Sequence, residues 1–253
     1  MPCVEEQTRL SIKHILLATV FAEPSPAILS YAVDLARRYD STMSLTGVVS
    51  PGAICEIIRN RQVDLVVIGA HAQGLRKSDL DSATEEILHT APCPVLIVGP
   101  NVNQMELAKD ELERIVYVTD YTTGSLDGLP FALALAQDHD AQVKFVHVSE
   151  EMKMGPFHFG NSRIVAFRKR FESLVASGKG LLEESEFVVQ ECDRTEGLVR
   201  IASNLHASLI VMGARGNQAP LLWPMANQVV CRAHCPVLTV QGSSPEYLRR
   251  KAQ

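Results

Sequence analysis

An internal repeat constrains this chain more than any other feature. Val63-Asp64-Leu65-Val66-Val67-Ile68-Gly69-Ala70-His71 aligns with Ala207-Ser208-Leu209-Ile210-Val211-Met212-Gly213-Ala214-Arg215, each an apolar run closing on Gly-Ala. Downstream, Ala91-Pro92-Cys93-Pro94-Val95-Leu96-Ile97-Val98 aligns with Ala233-His234-Cys235-Pro236-Val237-Leu238-Thr239-Val240; Cys93 lies 24 residues beyond Gly69 and Cys235 lies 22 beyond Gly213. A third pair, His14-Ile15-Leu16-Leu17-Ala18-Thr19 and Arg114-Ile115-Val116-Tyr117-Val118-Thr119, opens each copy and is followed by a segment rich in alanine and leucine. A repeat of this length decides architecture before any motif does.

The apolar runs are short, β-branched and without alternation, and amphipathic segments separate them. That pattern belongs to a parallel sheet buried on both faces. The second copy predicts strands at 114–119, 142–148, 187–192, 208–212 and 236–240, and helices near 125–139, 162–183, 195–205 and 224–233. In the first copy Ile15 to Gly69 covers 54 residues where Ile115 to Gly213 covers 98, so 98 − 54 = 44 residues are missing, about one helix and one strand. The expected fold class is α/β, as two doubly wound parallel-sheet domains in tandem, the first truncated to four strands. Residues 1–100 form the truncated domain, 101–112 a connector starting in the turn-forming Gly99-Pro100-Asn101 stretch, 113–242 the complete domain and 243–253 a tail.

Composition narrows function by exclusion. With 46% hydrophobic and 21% charged residues the chain can bury a core. A net charge of −5 offers no field for phosphate backbones or anionic lipid, so neither nucleic acid nor membrane is an expected partner. No basic-then-apolar leader opens the sequence, and no apolar run approaches the ~20 residues that span a bilayer, so a cytoplasmic location is expected. Six scattered cysteines read as reduced and buried.

Val118-Thr119-Asp120 closing one strand, Phe145-Val146-His147-Val148 closing a second, Met212-Gly213-Ala214-Arg215-Gly216 after the fourth and Cys235-Pro236-Val237 starting the fifth together resemble the universal stress protein family over nearly the whole chain. The resemblance implies strand order 3-2-1-4-5 in each domain. It also implies an adenine-nucleotide site in the second, formed by Val118, Thr119, Asp120, Val148, Met212, Gly213, Arg215 and Gly216, for ATP with Mg or another adenine nucleotide. In an open sheet of that order, strands 1 and 4 are neighbours whose connections leave in opposite directions, opening a crevice at their carboxyl ends. A carboxylate there accepts hydrogen bonds from an adenine amino group or a ribose hydroxyl. Glycines let backbone N–H groups approach phosphate beside a helix amino terminus.

The chain departs from the family pattern in places. Nucleotide-binding members carry Gly-x-x-Gly, nine residues, then Gly-Ser or Gly-Thr; here the last pair falls on Trp223-Pro224, and proline has no N–H to donate. In the first copy Val20 replaces the aspartate, Ala72 the second glycine and Asp81-Ser82 the Gly-Ser pair, which makes it a structural copy. His71 and Arg215 occupy equivalent loop positions, and Arg215 can pair with phosphate. Three functional classes fit. The first is a non-catalytic stress-response regulator, the two copies packed through Val95 to Val98 and Val237 to Val240 as an intramolecular pseudo-dimer. Further homodimerisation and an unidentified regulatory protein partner are open to it, with residues 149–165 as lid or binding segment. The second is a nucleotide-gated switch with weak ATPase activity. The third is a redox or metal sensor using Cys231, His234 and Cys235. No P-loop, nucleophile elbow or His-Glu-x-x-His motif occurs, so catalysis is not the leading expectation.

Overall fold

The computed structural model describes residues 10–20, 24–48, 51–69, 82–102, 112–120, 125, 128–149, 165, 169, 186–191, 193–213 and 222–241. The described strands are β1 (His14–Val20), β2 (Thr42–Val48), β3 (Leu65–Gly69), β4 (Val95–Val98), β5 (Arg114–Val118), β6 (Gln142–Ser149), β7 (Glu186–Glu191), β8 (Leu209–Gly213) and β9 (Val237–Val240). The described helices are α1 (Pro26–Arg38), α2 (Pro51–Arg61), α3 (Ser82–Thr90), α4 (Leu129–His139), α5 (Arg194–Asn204) and α6 (Leu222–Arg232). The crossing segment from 150 to 164 and most of the helix expected at 162–183 lie outside the described residues.

All nine described strands form one sheet in the order β2-β1-β3-β4-β9-β8-β5-β6-β7. Every pairing is parallel except the central one, where β4 runs antiparallel to β9 with Val95 opposite Thr239, Leu96 opposite Leu238 and Ile97 opposite Val237. This overturns the expectation of two tandem domains. The segments Val95–Val98 and Val237–Val240 do face one another, but they satisfy each other's backbone groups in a sheet ladder, so no boundary separates two units and there is no intramolecular pseudo-dimer. The molecule is a single α/β domain on one continuous mixed sheet.

The two cores lead to the same conclusion. On one face α2, α3, α5 and α6 cover strand residues such as Leu16, Ile68, Ile97, Val116 and Ile210; on the other α1 and α4 cover Leu17, Val67, Leu96, Tyr117 and Leu238. Alternate strand positions serve alternate faces, and both layers run unbroken across the seam. Central strands are buried on both sides, which is why they read in sequence as uninterrupted apolar runs.

Local signals set the helix ends. Ser25 accepts a hydrogen bond from the Ile28 N–H at the start of α1, with Pro26 in the first turn, and Asp193 accepts one from Glu196 at the start of α5. Asp40, Gln62, Asp140 and His206 take φ near 50° where α1, α2, α4 and α5 give way to strands. Among the described residues no helix is long and apolar enough to cross a membrane.

Candidate functional site

The crevice expected at the switch point is built from β5 and β8. Their register sets Val118 beside Met212, which brings Thr119 and Asp120 opposite Gly213 at the carboxyl ends of the strands. The connections from β5 and β8 return to opposite faces of the sheet, through α4 and α6 respectively, so no crossover closes the gap between them.

Thr119 is buried and held on three sides. Its N–H donates to the Val146 carbonyl at 3.1 Å, its hydroxyl lies 2.9 Å from that of Ser125, and its carbonyl accepts from Nδ1 of His147 at 2.8 Å. That last contact requires the proton on Nδ1, because a carbonyl oxygen only accepts. The Tyr117 hydroxyl donates to the Ser125 carbonyl at 2.7 Å, fastening the chain beyond β5 to the strand itself. Asp120 follows at the lip, partly exposed, with Oδ2 shielded from solvent.

The amino terminus of α4 abuts the end of β8. Gly128, the cap of that helix, carries no side-chain cap bond, and a Cβ there would stand 3.0 Å from the Gly213 nitrogen and 3.3 Å from the Met212 carbonyl carbon. Only a residue without a side chain lets the helix end come this close. The partial positive charge of α4 is thus set beside the backbone of Gly213.

The structure places the sequence-predicted residues unevenly. Thr119, Asp120 and Gly213 converge. Val118, Val148 and Met212 are core residues on the α2, α3, α5 and α6 face, so their side chains form the floor of the site rather than its rim. Arg215 and Gly216 lie outside the described residues, as do Ala72, His71 and Asp81. Trp223 and Pro224 fall in the first turn of α6. Sequence reasoning missed Tyr117, Ser125, Gly128 and His147; the one available signal, a serine and a glycine before an alanine-rich helix, reads as ordinary helix-start chemistry.

Cys231, His234 and Cys235 do not come together as a metal-ligating group. Cys231 and Cys235 are buried whereas His234 is exposed, and no group of three or more metal-ligating side chains occurs among the described residues. Cys93, the counterpart of Cys235, is fully buried, and burial pushes its thiol well above the ordinary range, with Asp64 and Cys55 adding to the effect.

Comparison with known proteins gives a consistent result. A universal stress protein of Methanocaldococcus jannaschii is 29% identical over 53% of this chain and 85% of its own. The crystal structure of a universal stress protein from Archaeoglobus fulgidus superposes with a TM-score of 0.62 at 16% identity, covering 90% of this chain and 88% of that one, and so shares the fold. A universal stress protein solved in complex with cAMP matches 53% of this chain and 99% of its own at 21% identity, with a TM-score of 0.39. The model of the universal stress protein family matches residues 50–99 and 111–241, more than half of the sequence, and the chain therefore belongs to the universal stress protein family.

Proposed function

We propose that the protein is a non-catalytic regulator that senses an adenine nucleotide, ATP or a relative, in the crevice between β5 and β8. One observation carries the reading: Thr119 and Asp120 lie across from Gly213 at the point where the connections diverge, with the amino end of α4 packed against the same glycine. Asp120 offers a carboxylate to a ribose or an adenine amino group. The backbone at Gly213, itself without a side chain and with a helix amino terminus beside it, suits phosphate oxygens. Arg215 and Gly216, next in the chain, would complete the phosphate side, and Mg would accompany a polyphosphate. Ser125, Tyr117 and His147 fix Thr119 and so position the lip rather than touch the ligand.

The reading is of a sensor and assigns no hydrolytic step. It is tested by isothermal titration of ATP and ADP with magnesium against protein stripped of any co-purified nucleotide, beside Asp120→Ala. Binding that is lost in the variant supports the site. Absence of binding to the wild type, or full binding by the variant, sinks it.

A further inference from the structure

The described part of the sheet ends at β2 on one side and at β7 on the other. Residue for residue β2 corresponds to β6: Leu45 pairs with Leu17 as Phe145 pairs with Tyr117. The fates of the two positions differ. β6 is covered on its outer side by β7, and Phe145 is 0% exposed; no described strand pairs with the outer side of β2, and Leu45 is 57% exposed.

Among the described residues the edge strand also lacks two of the devices that keep sheets apart, charge and proline. Thr42-Met43-Ser44-Leu45-Thr46-Gly47-Val48 contains no charge and no proline. Beside it, α1 presents Leu29, 38% exposed, and a groove of about 320 Å³ lined by Val33, Ala36, Arg37, Asp40, Ser41 and Met43. Met43 packs on the α1 face, and alternation puts Leu45 on that face too. Leu29, Val33, Met43 and Leu45 give the edge an apolar stretch, and Arg37, Asp40 and Ser41 make the rest of the groove polar.

We propose that this edge joins two copies of the chain, β2 pairing antiparallel with β2 of a second copy about a two-fold axis through Leu45. The strand is self-complementary in that register. Leu45 meets Leu45; Ser44, whose hydroxyl lies 2.8 Å from Nε2 of His14, meets Thr46; and Met43 meets Gly47, which has no side chain to obstruct it. No charge faces its like. The helices fit as well: α1 packs over β1 and β2, and with strands about 4.8 Å apart a helix seated there meets its symmetry mate at roughly 10 Å, the spacing of packed helices. The Leu29 and Val33 stripes then close over the two leucines. A two-fold contact of this kind saturates at a dimer and leaves the β5–β8 crevice, several strands away, uncovered.

The test is sedimentation velocity on the full chain over a wide concentration range, with Leu45→Lys and Leu45→Glu variants whose circular dichroism confirms the fold. Wild type is expected to sediment as a dimer and each variant alone as a monomer, because the two-fold sets like charges directly opposite. An equimolar mixture of the two variants is expected to recover the dimer. A monomeric wild type, a variant that still dimerises alone, or a mixture that stays monomeric overturns the proposal.

Discussion

Asn101 donates its side-chain amide to the carbonyl of Cys231 at 2.8 Å, tying the turn after β4 to the last turn of α6 across 130 residues of sequence. The same turn places Gly99 so close to α6 that a Cβ on it would overlap the Val230 carbonyl oxygen. The partner is backbone within a helix and cannot step aside. Gly99→Ala is expected to cost about 2 kcal/mol or more, as overpacking does, and Asn101→Ala about 1 kcal/mol for the lost hydrogen bond. Urea unfolding midpoints measure both; equal losses would contradict this ranking.

Gly128→Ala probes the crevice from the helix side. The added methyl must push α4 away from β8 by a few tenths of an ångström, since it would otherwise stand 3.0 Å from the Gly213 nitrogen. We expect a stability loss of about 1 kcal/mol or more together with weaker nucleotide binding. Calorimetric titration beside a urea curve reads both, and a variant unchanged in each would show that the close approach is not required.

His139 lies 3.2 Å from the Tyr39 hydroxyl where the carboxyl ends of α1 and α4 meet, and its pKa is pushed down to about 4, first by burial and then by the positive charge of Arg38. The unfolded chain, with an ordinary imidazole, takes up the proton first as pH falls. This group's contribution to stability is therefore full above about pH 6.5, declines as pH falls toward 4, and changes little below. Tyr39 stays protonated throughout, its pKa raised by burial and by Asp138. His139→Gln is expected to flatten the dependence of the unfolding midpoint on pH across that window; an unaltered slope would assign it to other groups.

Gln62 and His206 adopt left-handed backbone, φ 51° and 50°, at the ends of α2 and α5, and both are exposed. Glycine holds this conformation without the Cβ strain. Gln62→Gly and His206→Gly are each expected to stabilise the fold by several tenths to about 1 kcal/mol, read as a rise in melting temperature. A fall would mean that the unfolded-state entropy of glycine outweighs the relieved strain.

Individual strands were legible in the sequence because burial on both faces removes polar alternation, as in Leu65–Gly69 and Leu209–Gly213. Their assembly was not. A four-residue run such as Val95–Val98 looks the same whether it ends a sheet or sits in the middle of one, and the repeat pointed to two units where β4 and β9 join them into one. In the site, Asp120 and Gly213 could be paired from strand order alone. Ser125 could not be placed, because a serine ahead of an apolar helix reads as a cap, whereas here its hydroxyl and carbonyl turn inward to Thr119 and Tyr117.

The meeting of Tyr39 and His139 gives the molecule a direction. It lies where α1 and α4 finish, and the chain enters β2 and β6 immediately afterwards, so the strands of both halves lead outward from it. Along β5 the path from Arg114 to Thr119 is five residues, about 17 Å at the rise of an extended strand. The hub, where Arg38 and His139 line one pocket with Arg114, and the crevice at Thr119 thus lie at opposite ends of one strand that is paired on both sides, with β6 and with β8.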